Sequence, residues 1–427
     1  MSSRREGLKA NALSYIYDWQ EVMTTQYSPK AFLRQAPNSL LARYFDGQGV
    51  LAEVNIAALD ETAIDPVYDA WSDLPAEVRT QVDADFRDIE ALADEAGTRT
   101  LLEEARFHDE DLEPLFAEMD GFYDRAFWAF LERREVFDVA LRFCDADNRP
   151  ARYWRKRKGV PHMPPSVDEA NISKFEQAIS FYFREREGRG HSCKIDVYRR
   201  GDREYFFVYL ADYGRTSIEW EASGLARRPH RPAFEIIFVY AQNAGTLDMF
   251  LEGPKKKVQD LQEIFARVIL NAELGDPVKD ERVYELNVLK RRDFQFVYEP
   301  TSGIRDVRVK KLRLSTLGAG RRITLEDDPS MNMAAVYDLL DEVVETADRP
   351  TCDTCRKIPL ALVNVTLAGI QIHFEPDGKR GRRTRTFQIS YPNSCALAQD
   401  GRDALIRKML ADSGIDVVQG AGEPQGA

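Results

Sequence analysis

Arg152-Tyr153-Trp154-Arg155-Lys156-Arg157-Lys158 places five cations and two aromatic rings in seven consecutive positions. Cations supply phosphate contacts and aromatic rings supply stacking surfaces, so the run has the chemistry of a nucleic-acid backbone binder. Two plainer roles compete with it: a solvated interdomain linker, or a strip that docks on the acidic N-terminal domain. A second basic group, Lys379-Arg380-Gly381-Arg382-Arg383-Thr384-Arg385, follows Pro376-Asp377-Gly378, a turn signal. Flanking strand-like runs make it the tip of a hairpin, either a device for following a phosphate backbone or a charged guard on a sheet edge. The candidate nucleic-acid-binding residues are therefore Arg152, Trp154, Arg155, Lys156, Arg157, Lys158, Lys379, Arg380, Arg382, Arg383 and Arg385. Smaller basic groups occur at 199–203, 227–231, 255–257, 290–292 and 321–322.

Catalytic chemistry is harder to find. No phosphate-binding Walker loop, no GxSxG nucleophile elbow and no HExxH zinc motif is present. His191 lies two residues from Cys193, which in an extended strand puts both side chains on one face. A buried core cysteine is the commoner outcome of that pattern. Cys352 and Cys355 form a lone CxxC, and zinc needs four ligands. His373 and Cys395 are the remaining donors in the same region. Glu326-Asp327-Asp328 has carboxylates for a divalent ion, but such trios are usually solvated turns. No catalytic residue, metal ligand or cofactor is assigned.

The 427 residues carry 71 acidic against 59 basic side chains, a net charge of −12. The balance is uneven. Residues 1–150 hold 31 acidic and 15 basic residues, whereas residues 151–427 hold 40 and 44. Such asymmetry points to a polyanion or protein partner for one part of the chain, or to an acidic part that maintains solubility. Five cysteines are few and odd in number, which argues for a reducing compartment, hence a cytoplasmic location. No apolar run is long enough for a membrane span, and the N-terminus lacks the pattern of a secretory signal.

Apolar spacing predicts the elements that must position these groups. Residues 1–150 read as an acidic, mainly helical domain, with helices over 75–96 (stopping at Gly97), 100–107 and 113–135, and a short strand around Leu51, Val54 and Ile56. Residues 151–167, with their prolines and basic run, read as an irregular linker. Residues 168–278 read as an α+β meander domain: a helix over 168–183, strands over 193–199, 204–210, 216–220, 233–241 and 246–251, and a closing helix. Residues 279–418 read as a second α+β domain. Its expected strands cover 283–289, 294–298, 304–314, 321–326, 360–366, 369–375 and 383–390, and its helices 331–346 and 400–412. Residues 419–427 read as a flexible tail.

The fold class is thus α+β multidomain: an acidic helical domain followed by two units of mainly antiparallel sheet with flanking helices. The expected function is a non-enzymatic cytoplasmic protein that binds nucleic acid, DNA or RNA, through cationic loops, while its acidic helical domain engages a protein partner or shields the basic surface. The alternatives are a protein–protein adaptor or subunit of a larger complex, or an enzyme with a non-obvious metal-dependent site. The general character of the chain resembles bacterial proteins of mobile or phage-defence loci, which implies a bacterial source and an antiviral role.

Overall fold

Apolar residues at three- and four-residue spacing dominate the first third of the chain, and helices form there. The computed structural model describes residues 27–221, 224–253, 255–275, 283–317, 321–327, 335–345, 357–375, 384–397 and 401–416. They divide into two compact units, Met1–Cys144 and Asp145–Ala427. Helices α1 (Pro29–Leu33), α2 (Asn38–Gln48), α3 (Asp65–Ser72), α4 (Ala76–Leu92), α5 (Glu95–Phe107), α6 (Glu113–Ala117), α7 (Phe122–Glu132) and α8 (Arg134–Asp147) come first. Their core is aromatic: Phe32 stacks on Phe86 with ring centroids 4.1 Å apart, and Tyr44, Phe45 and Phe127 close around the pair.

Three expectations fail here. No strand forms around Leu51, Val54 and Ile56; a short 3-10 turn, Ile56–Ala58, stands there instead. The helix expected over 113–135 is broken by extended backbone at Gly121, the residue that starts α7. Gly97 does not stop α4. It lies in the first turn of α5, its N–H donating to the Asp94 carboxylate at 2.7 Å. A Cβ on Gly97 would stand 2.2 Å from the Leu92 carbonyl oxygen, so the backbones of α4 and α5 cross where only glycine fits. Alanine normally strengthens a helix, yet Gly97→Ala is expected to destabilise the first unit by about 1–3 kcal/mol in urea unfolding of the full chain.

The second unit begins with β1 (Trp154–Arg157), α9 (Glu169–Glu187), β2 (Cys193–Arg200), β3 (Arg203–Ala211), β4 (Arg215–Glu221), β5 (Gly224–His230), β6 (Ala233–Ala241), β7 (Thr246–Leu251) and α10 (Lys255–Ile269). Strands β1, β7, β6, β3 and β2 make one antiparallel sheet in that order. α9 and α10 cover one face, packing Phe175, Ile179, Phe183, Leu261 and Phe265 on Phe206, Phe238 and Met249. The run 216–220 is not a member of this sheet; among the described residues β4 and β5 pair only with each other, as a separate two-stranded ribbon.

β8 (Ile304–Thr316), β9 (Arg322–Glu326), α11 (Ala335–Val343), β10 (Val344–Glu345), β11 (Ile358–Pro359), β12 (Val363–Phe374), β13 (Thr384–Ser390), β14 (Ser394–Cys395) and α12 (Gly401–Asp412) follow. A second antiparallel sheet runs β14-β13-β12-β8-β9. Its apolar face (Leu312, Leu314, Ala368, Ile370, Ile389) shares a core with Val336 and Leu340 of α11 and Ile406, Met409 and Leu410 of α12. The chain is thus α+β, built of several units.

Two strands expected over 360–366 and 369–375 are one, β12, which stays paired with β8 through register shifts at Val365/Leu367 and Gly369/Ile370; a Cβ at Gly369 would lie 2.9 Å from that of Lys311. Residues 283–289 are not a strand. Leu286–Lys290 is a 3-10 turn, started by the Glu285 carboxylate accepting from the Asn287 N–H at 2.9 Å. Residues 294–298 carry no regular strand. Among the described residues no helix is long and apolar enough to cross a membrane.

Candidate anion-binding cleft

The basic run at 152–158 is not an irregular linker. Residues 154–157 are the edge strand β1, in register with β7: Trp154 opposite Phe250, Lys156 opposite Asp248. Alternation along a strand then sorts the cations. Lys156 and Lys158 fall on one side, where both grip Asp416, at 3.2 and 2.6 Å. Burial pushes the Asp416 carboxyl up, but the two ammonium groups outweigh it and hold the carboxyl below its ordinary value. Trp154 shares that side, tilted on Phe250, and lines a cavity of about 20 Å³ with Asp147, Asp248, Cys395 and Arg407. Lys156 and Lys158 are therefore committed to an internal ion pair, contrary to the expectation of a phosphate-binding track.

Arg155 and Arg157 alternate to the other side. The Arg157 guanidinium donates to the Gly275 carbonyl at 2.6 Å and the residue is only 9% exposed, so it too is structural. Arg155 differs. Its Nη1 donates to the Arg152 and Trp154 carbonyls at 2.5 and 2.6 Å, while its buried Nε has no hydrogen-bond partner. Burial lowers its pKa.

Arg155 faces a cleft of about 270 Å³ that the β14 segment completes. The Lys156 N–H donates to the Asn393 carbonyl at 3.0 Å and the Asn393 amide donates back to the Lys156 carbonyl at 2.9 Å, joining the edges of the two sheets. The cleft is lined by Arg152, Arg155, Arg313, Gln388, Ser390 and Asn393, with Leu367, Tyr391, Pro392 and Ser394 completing the wall. Arg313, Leu367 and Ser390 stand opposite one another on β8, β12 and β13, so one row of the sheet's polar face forms the floor. Arg313 donates to the Thr366 hydroxyl at 3.4 Å, and burial, aided by the charge of Arg322, lowers its pKa. No carboxylate is among the described residues that line the cleft. Arg155 and Arg313, both held where burial disfavours their charge, thus share one recess with Arg152 and with the hydrogen-bonding side chains of Gln388, Ser390 and Asn393.

Sequence reading missed Arg313, Gln388, Ser390 and Asn393. One usable signal existed: Lys311, Arg313 and Ser315 alternate with the apolar Leu312 and Leu314, which marks a polar face with cations on it. Compared with protein-family models the chain matches none, and compared with curated proteins it matches none. The chemistry of the cleft has to be read from its own residues.

The remaining candidates separate. Arg385 is held by both oxygens of Asp403, at 3.0 and 2.6 Å, and does not enter the cleft. Lys379, Arg380, Arg382 and Arg383 lie outside the described residues, as do Cys352 and Cys355. His373 sits on the polar face of β12 between Gln371 and Thr384, whereas Cys395 is buried in the core on the other side, so these two do not converge. His191 is exposed, and burial, with Glu176 nearby, pushes the Cys193 thiol up to about 12, which leaves no thiolate at neutral pH. Glu326 is engaged by Lys311 at 2.9 Å. Among the described residues no group of three or more His, Cys, Asp and Glu side chains is arranged to hold a metal ion.

Proposed function

We propose that the second unit binds the phosphate backbone of a nucleic acid through the Arg152–Arg155–Arg313 cleft. One observation carries the reading: arginines from two distant stretches of chain line one recess with Gln388, Ser390 and Asn393, without an acid among the lining residues. Guanidinium forks match the paired oxygens of a phosphodiester. Polyanion recognition of this kind is led by charge, so sequence preference is weak and salt dependence is steep.

The test is fluorescence polarisation of the full chain with labelled DNA and RNA strands across a salt series. Arg155→Ala with Arg313→Ala is expected to weaken binding roughly tenfold for each arginine at low salt. The slope of log affinity against log salt should fall by about one for each phosphate contact removed. No binding by the unaltered chain, or an unchanged slope in the double variant, overturns the reading. Arg385→Ala, whose guanidinium is tied to Asp403, should leave the slope as it is.

A further inference from the structure

The β4–β5 ribbon stands outside all three apolar cores. Trp220 is 80% exposed, Ile218 67% and Leu225 63%. The register pairs Trp220 with Leu225, Ile218 with Arg227 and Thr216 with Pro229. Strand alternation therefore gathers these six side chains on one face. The opposite face holds the ribbon's two acids, Glu219 and Glu221, and both are taken by Arg228, at 4.0 and 2.7 Å. At the base Arg215 is paired with Asp212 at 2.7 Å, and Arg231 follows β5, exposed. The apolar face thus combines an open indole, aliphatic neighbours and one arginine, with no acid.

We infer that this ribbon is a stacking platform for unpaired bases of a single-stranded nucleic acid, with Trp220 against a base and Arg227 against the adjoining phosphate. The inference rests on the reading that the second unit binds a phosphate backbone. An indole takes any base on its π face, and a neighbouring guanidinium supplies the charge that a phosphodiester needs. Large apolar side chains left this exposed and gathered on one face mark a candidate interaction site. A second copy of the chain fits less well, because apposing two such faces would bury Arg227 against a surface with no carboxylate to receive it.

The experiment uses the full chain and labelled strands of one mixed sequence as DNA and as RNA, the same DNA as a duplex, and an abasic DNA of equal length. Both single strands should bind more tightly than the abasic strand, and the tighter of the two names the polymer. Trp220→Ala should weaken single-strand binding by roughly five- to a hundredfold while hardly affecting the abasic strand. Trp220→Phe should retain most of the affinity. The side chain is exposed, so an unchanged melting temperature will show that the variant is folded. Equal binding of abasic and normal strands overturns the inference. So does a Trp220→Ala variant that binds like the parent while the Arg155→Ala and Arg313→Ala pair binds weakly; the cleft reading then survives alone. Loss of self-association in Trp220→Ala, measured by sedimentation and without change in strand binding, assigns the face to a second copy instead. No binding of any strand removes both readings.

Discussion

Asp416→Ala is expected to cost about 3–5 kcal/mol of stability in the second unit, because it removes the carboxylate on which two largely buried ammonium groups, Lys156 and Lys158, both close. Lys158, with its side chain 8% exposed, and Lys156, 12% exposed, both close on this one carboxylate. Lys158 also donates to the Val283 carbonyl, at 3.4 Å, which is no substitute for an anion. Asp416 is fixed in turn by a backbone bridge to Tyr284 and by its N–H donating to the Leu410 carbonyl at 3.1 Å. Breaking a buried pair on one side is far worse than replacing it whole. The triple variant Asp416→Leu, Lys156→Met, Lys158→Met should therefore recover most of the loss. Hydrogen exchange at the β1 and β14 amides, read beside thermal unfolding, measures both effects.

The same carboxylate sets an acid limb in the stability curve. Its folded-state pKa is held below the ordinary 3.8, so its contribution is fully present above that value and is lost as pH falls through the lower folded value. Asp416→Asn should flatten that limb. An acid limb of unchanged steepness in Asp416→Asn would mean that the two lysines do not stabilise this ion.

Phe86→Ala is the second large effect, about 3–5 kcal/mol in the first unit. Phe86 is 1% exposed and lies at the centre of an aromatic cluster, stacked on Phe32 and in ring contact with Tyr44, Phe45 and Phe127. These rings come from four helices, α1, α2, α4 and α7, so the cavity left behind cannot close by one side chain turning. Phe86→Leu, which keeps much of the volume, should cost distinctly less. Nearby, the Tyr44 hydroxyl donates to Asp85 at 2.6 Å, a bond that holds α2 to α4 and should persist in both variants. Urea unfolding of the full chain separates the outcomes: a loss below 1 kcal/mol would mean that the cluster does not hold the first unit together.

Much of the secondary structure was legible because it is a local property of the chain. β2, β3, β6 and β7 announce themselves by runs of Val, Ile, Phe and Tyr between turn residues. α4, α9, α10 and α12 do so by apolar residues at helical spacing. The composition and its charge asymmetry are likewise properties of the sequence alone. Tertiary structure decided which strands share a sheet: β4 has strand-like residues, yet among the described residues it pairs with β5 alone and forms a separate ribbon. It also decided which cations are spent. Arg155 and Lys156 are adjacent in sequence, but the pleat of β1 sends one towards Arg313 and the other to Asp416. A charge is neutralised by whatever lies within a few ångströms of it, and that neighbour comes from a segment remote in the chain.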